Sequence, residues 1–93
     1  MAPEPTRVLL LTTDECGFCA DARAVLRRLE AQYELRVETL ALETPAGQEL
    51  ARRGSILFPP GTFVDGEPFA YGRLSERKLR RELARRGTAL RTA

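Results

Sequence analysis

The stretch from Val8 to Cys19 constrains the chain more than any other. Val8-Leu9-Leu10-Leu11 is a short, unbroken apolar run, as expected of a strand covered on both faces. It passes through Thr12-Thr13-Asp14-Glu15 into Cys16-Gly17-Phe18-Cys19. From there apolar positions recur every three or four residues, at Cys19, Ala22, Val25, Leu26 and Leu29, with Arg23, Arg27, Arg28 and Glu30 opposite. That spacing predicts a helix from Phe18 to about Gln32. Two thiols three residues apart at a helix start lie on its first turn and can close a small disulfide ring. Cys16 then sits where unpaired N–H groups and the helix dipole favour a thiolate, the species that attacks disulfides.

The remaining elements follow from local pattern. Glu34–Leu40 alternates polar and apolar residues, which predicts a strand with one buried face, at a sheet edge. Thr44-Pro45 opens a short helix that ends near Arg53, with Gly54 closing it. Ser55–Pro60 connects to a strand at Thr62–Val64. Asp65-Gly66 is a two-residue hairpin signal, and Glu67–Tyr71 returns as the partner strand. Ser75 caps a last helix that runs to about Arg86 and is closed by Gly87. The order is βαβαββα. Residues 1–6 are expected to be a disordered N-terminus, 7–87 the domain, and 88–93 a tail.

Composition narrows the chemistry. Ninety-three residues make one small domain, and its two cysteines and absent histidine exclude Ser-His-Asp and Cys-His catalysis. Two thiolates fall short of the four ligands of a closed zinc site. A net charge of only +2 gives no electrostatic reason to expect nucleic acid or a membrane surface. No apolar run approaches the roughly 18 residues of a membrane span, and Met1–Thr6 lacks the basic and apolar regions of a signal peptide. A cytoplasmic monomer is expected. The basic residues of the last helix (Arg77, Lys78, Arg80, Arg81, Arg85 and Arg86) read as a solvated outer face, with docking of an acidic partner as the alternative.

The element order, with Cys-x-x-Cys at the first strand–helix junction, resembles the thioredoxin fold, and the brevity of the chain resembles its glutaredoxin branch. The likeness spans about Arg7 to Arg86. It implies an α/β domain whose four-stranded mixed sheet carries helices on both faces. It also implies a dithiol–disulfide oxidoreductase in which Cys16 attacks and Cys19 resolves. The family's cis-proline falls on Pro60. Phe18, Pro59, Pro60 and Gly72 are the substrate-side residues, with core packing as the alternative for Phe18; Thr62 and Tyr71 are further candidates to line the groove, with strand packing as the equal alternative. No cofactor is required, and glutathione or an equivalent low-molecular-weight thiol is a candidate reductant. Expected partners are a disulfide-containing protein or small-thiol mixed disulfide, with a reductase or such a thiol as electron donor.

Three departures stand out. Pro59 has no N–H to offer a substrate backbone. Thr13, Asp14 and Glu15 stand where glutaredoxins commonly carry a lysine, and the two carboxylates oppose thiolate formation. The glutathione-holding Gly-Gly and acidic cap are reduced to Gly72 and Ser75. Two other readings fit the resemblance: an iron–sulfur module in which Cys16, with or without Cys19, from two chains holds a cluster, and a redox-inert interaction domain.

Overall fold

The computed structural model describes residues 4–91. Its elements run β1 (Thr6–Thr12), α1 (Cys19–Glu30), β2 (Leu35–Ala41), α2 (Pro45–Arg53), β3 (Gly61–Val64), β4 (Glu67–Tyr71) and α3 (Glu76–Arg85). The strands form one sheet in the order β2-β1-β3-β4. β1 pairs parallel with β2 and antiparallel with β3, and β3 pairs antiparallel with β4. The sheet is therefore mixed, with β2 at one edge as its alternating sequence predicts.

Alternation along β1 and β3 separates two packed layers. Val8, Leu10 and Val64 join Ala22, Val25, Leu26 and Leu29 of α1 and Leu79 and Leu83 of α3 in one core cluster. Phe63 points to the other face, under α2, where a Cβ on Gly54 would lie 2.8 Å from its ring. Leu10 and Leu11 are fully buried on opposite faces, each contributing about 1.5–3 kcal/mol of burial. This is why the strand is apolar without interruption from Val8 to Leu11. Asp65 and Gly66 both have positive φ, 49° and 83°, the backbone that a two-residue turn of this kind requires.

Three boundaries differ from expectation. β1 begins at Thr6, which is buried and hydrogen-bonded through its hydroxyl to Thr88 at 2.6 Å; Met1–Pro3 lie outside the described residues. The segment expected as a tail is tied down over Thr88–Arg91. Glu34 N–H donates to Ala89 O at 2.8 Å, Arg91 N–H donates to Gln32 O at 2.8 Å, and Tyr33 bridges Leu90. Helix α1 begins at Cys19, with Phe18 as its cap residue. Cys16 therefore lies in the turn before the helix. No helix is long and apolar enough to cross a membrane among the described residues.

Helix α3 is fixed to the hairpin by charge. Arg86 reaches Glu82 at 2.6 Å, Glu67 at 2.9 Å and Asp65 at 3.5 Å. Arg85 also pairs with Glu82, and Arg80 with Glu76, so half of the basic helix face is engaged internally. The guanidinium groups of Arg85 and Arg86 hold the Glu82 carboxyl down to about 2 from an ordinary 4.5. A depressed carboxyl stabilises the fold above its unfolded pKa and loses that contribution as pH falls through its folded pKa. Glu82→Gln is expected to melt below the wild type at pH 7. The gap should narrow between pH 4.5 and pH 2 and close near pH 2, as read by circular dichroism.

Candidate active site

The site forms at the end of the sheet where β1 finishes and β3 begins. Pairing of Leu11 with Gly61 brings Pro60 beside the strand end from which the chain turns toward Cys16. Pairing of Gly61 with Tyr71 brings the end of β4, and so Gly72, to the same place. Three separate stretches of sequence meet there because the β1–β3–β4 register admits no other arrangement.

Cys16 and Cys19 are joined in a disulfide with their Cα atoms 5.3 Å apart. The two sulfurs are not equivalent. Cys19 opens α1 on its buried stripe and is 1% exposed, whereas Cys16 is partly accessible. Cys19 N–H donates to Cys16 O at 3.4 Å, closing the turn between them. Phe18, between the thiols, is 44% exposed, so it belongs to the surface beside the disulfide rather than to the core. Its side chain makes no capping bond, which leaves first-turn N–H groups of α1 directed to the Cys16 side.

The Pro59-Pro60 peptide bond is cis. Pro60 is buried and Pro59 is half-buried. Gly72 N–H donates to Pro60 O at 2.8 Å, tying the proline loop to the end of β4. Gly72 has φ +76°, and a Cβ there would stand 2.6 Å from the Phe58 ring. The Phe58 ring packs over this glycine and meets Tyr71 edge to face at 5.1 Å. Leu57, Phe58 and Tyr71 remain 73%, 51% and 41% exposed. Together they make an apolar surface that continues from the cis-proline.

Of the residues expected on the substrate side, Phe18 and Pro59 are accessible, Pro60 is buried beneath the loop, and Gly72 is buried under Phe58. Tyr71 reaches the surface, whereas Thr62 is fully buried and cannot line a groove. Sequence reading missed Phe58, because its role depends on a glycine fourteen residues later. It also missed the link between loops: the Thr13 hydroxyl donates to the Glu43 carboxylate, and Leu42 N–H donates to Thr12 O at 2.7 Å. The Thr13 bond holds the Glu43 carboxyl below its ordinary value, helped by a bond to Glu43's own backbone. Glu43, Asp14 and Glu15 are all exposed, and they give this side of the disulfide a negative edge. Among the described residues no group of three or more His, Cys, Asp or Glu side chains is arranged as a metal site.

A mixed sheet in the order β2-β1-β3-β4, with a Cys-x-x-Cys disulfide after the central strand and a cis-proline before its neighbour, defines a thioredoxin-type domain. Solved structures agree on the fold. A thioredoxin variant from Halobacterium salinarum matches with a TM-score of 0.67 at 22% identity, over 88% of this chain and 74% of its own. A thioredoxin-like protein from Clostridium perfringens gives 0.65 at 20% identity, over 90% of this chain and 73% of its own. The N-terminal domain of alkylhydroperoxide reductase AhpF from Enterococcus faecalis gives 0.67 at 20% identity, over 87% of this chain but only 38% of its own. No curated protein matches the sequence. The glutaredoxin family profile matches residues 8–69, more than half of the chain, and the protein belongs to the glutaredoxin family.

Gly72→Ala tests the support beneath the proline loop. A non-glycine residue held at positive φ costs about 1–3 kcal/mol, and the added methyl also displaces Phe58. The expected result is a lower urea midpoint with an unchanged m-value.

Proposed function

We propose that this protein is a dithiol–disulfide oxidoreductase with Cys16 as the attacking thiol and Cys19 as the resolving thiol. The observation that carries this reading is the asymmetry of the pair, one sulfur accessible in a turn and the other buried at the first residue of a helix. The Cys16 thiolate attacks one sulfur of a substrate disulfide, forming a mixed disulfide and expelling the other substrate sulfur as a thiolate. The Cys19 thiolate then attacks Cys16 sulfur, releasing the second substrate thiol and leaving the Cys16–Cys19 disulfide. Two electrons have passed to the substrate.

Open N–H groups at the start of α1 favour the Cys16 thiolate, while Asp14 and Glu15 act against it. Pro59 can accept one hydrogen bond from a substrate backbone through its carbonyl but cannot return one. Apolar contact with Phe18, Phe58 and Tyr71 supplies what that missing bond does not, which favours disulfides presented on polypeptides. The reductant that restores the dithiol is a low-molecular-weight thiol or a reductase, and the protein acts without a bound cofactor as a cytoplasmic monomer.

Single-cysteine variants test the assignment. Reduced Cys19→Ser is expected to accumulate a mixed disulfide with a model peptide disulfide, visible as an added mass, because attack proceeds and resolution does not. Cys16→Ser should form none at pH 7 and lose at least about 100-fold in the rate of peptide-disulfide reduction, of the order seen when a nucleophile is removed. Adduct formation at Cys19 in the Cys16→Ser protein, at the wild-type rate, would reverse the roles.

A further inference from the structure

Thr62 is 0% exposed, and its Oγ1 is the one buried side-chain oxygen or nitrogen among the described residues that lacks a hydrogen-bond partner. Burying a hydroxyl without a partner is unfavourable, and valine would fill the same space without that penalty. A buried hydroxyl without a partner in the disulfide form points to a state of the protein in which it has one.

The surroundings of Thr62 narrow the choice. It pairs with Leu10 on β1 and with Ala70 on β4. Alternation places it with Val64 and Leu10 on the sheet face covered by α1 and α3, where the core cluster consists almost wholly of aliphatic side chains. The β3–β4 register shifts between Thr62 and Phe63, an irregularity of the kind that re-aims a side chain. One strand position further, at Leu11 and Gly61, the sheet reaches the end where the proline loop and the disulfide lie. Cys19 opens the buried stripe Cys19, Ala22, Val25, Leu26 and Leu29 of α1, the helix whose stripe packs on this same sheet face. The other buried threonines among the described residues are Thr6, which is bonded to Thr88, and Thr12, which is not bonded to Thr62. In the disulfide, Cys19 sulfur is a poor acceptor and carries no charge. Opened to a thiol or thiolate, it becomes a buried sulfur that needs a donor.

We propose that Thr62 is a redox-state-specific hydrogen-bond donor, its hydroxyl idle under the disulfide and donating to Cys19 sulfur in the dithiol form. This rests on the oxidoreductase reading and adds to it a residue outside the Cys-x-x-Cys loop that tunes the couple. The couple is balanced by two electrons and two protons: an external dithiol such as dithiothreitol is oxidised to its disulfide as Cys16–Cys19 is reduced to two thiols. A donor that acts on only one side of this equilibrium makes the protein disulfide easier to reduce.

The test compares wild type, Thr62→Val and Thr62→Ser, each equilibrated in dithiothreitol redox buffers at pH 7, alkylated and weighed. Loss of one net hydrogen bond from the reduced form should lower the equilibrium constant for reduction at least about fivefold in Thr62→Val, which is about 20 mV or more toward negative potential, and relief of the oxidised form adds to this shift. Thr62→Ser keeps the hydroxyl and should stay near the wild-type value. Oxidised Thr62→Val should melt above oxidised wild type, and reduced Thr62→Val should not melt above reduced wild type. Equal stabilisation of both forms with an unchanged constant would make Thr62 a packing residue and overturn the proposal. A wild type with no reversible couple would instead overturn the oxidoreductase reading itself.

Discussion

Strand β1 is the element on which the rest of the structure depends. It is hydrogen-bonded on both sides, to β2 and to β3, and buried on both faces. Every other element is placed relative to it: α1 and α3 cover the Leu10 face, and α2 covers the Leu11 side. A strand so enclosed has no freedom in register, since a slip of one residue would exchange the faces of every side chain. Its C-terminal end is therefore a fixed point. The chain leaves that point toward Cys16, and the neighbouring strand enters beside it from the cis-proline. The disulfide and the cis-proline meet at this end because two antiparallel neighbours bring a loop from each half of the chain to one place.

The same geometry divides the two cysteines. Three residues of turn carry Cys16 out to the edge of the domain, and the first turn of α1 carries Cys19 back under it. Burial of the second sulfur follows from its place on the stripe that α1 turns toward the sheet, and accessibility of the first follows from its position before the helix. An aromatic pair, Phe58 and Tyr71, stands over Gly72 on the far side of the proline loop, and the loop is held from below by the Gly72–Pro60 bond. The surface around the disulfide is thus apolar on the proline side and negative where Asp14, Glu15 and Glu43 stand.

Much of this was legible in the sequence where the signal is local. The apolar run of β1, the stripe of α1, the Thr44-Pro45 helix start and the Asp65-Gly66 turn each depend on a few adjacent residues, and each lies within a residue or two of its expected place. Features joining distant residues left no periodic trace. Thr88–Arg91 read as a tail because its bonds go to Gln32 and Glu34, with only one residue pair bridging. The place of Phe58 depends on Gly72 beneath it, a contact between residues far apart in sequence. The helix start moved to Cys19 because Phe18 adopts helical backbone without a capping side chain, so the pair straddles the boundary. For Thr62 groove lining and strand packing are equally compatible with the sequence, and packing holds because β3 is buried on both faces.

The central claim is that Cys16 and Cys19 form a working dithiol rather than an inert bridge. The most direct measurement is a redox titration of the wild-type protein at pH 7, with free thiols alkylated and counted by mass at each potential. A working dithiol gives one reversible transition between zero and two alkylated thiols, with a two-electron slope and the same midpoint from either direction. A disulfide that stays closed across the range from about −120 to −270 mV, or thiols that never pair on oxidation, would contradict it.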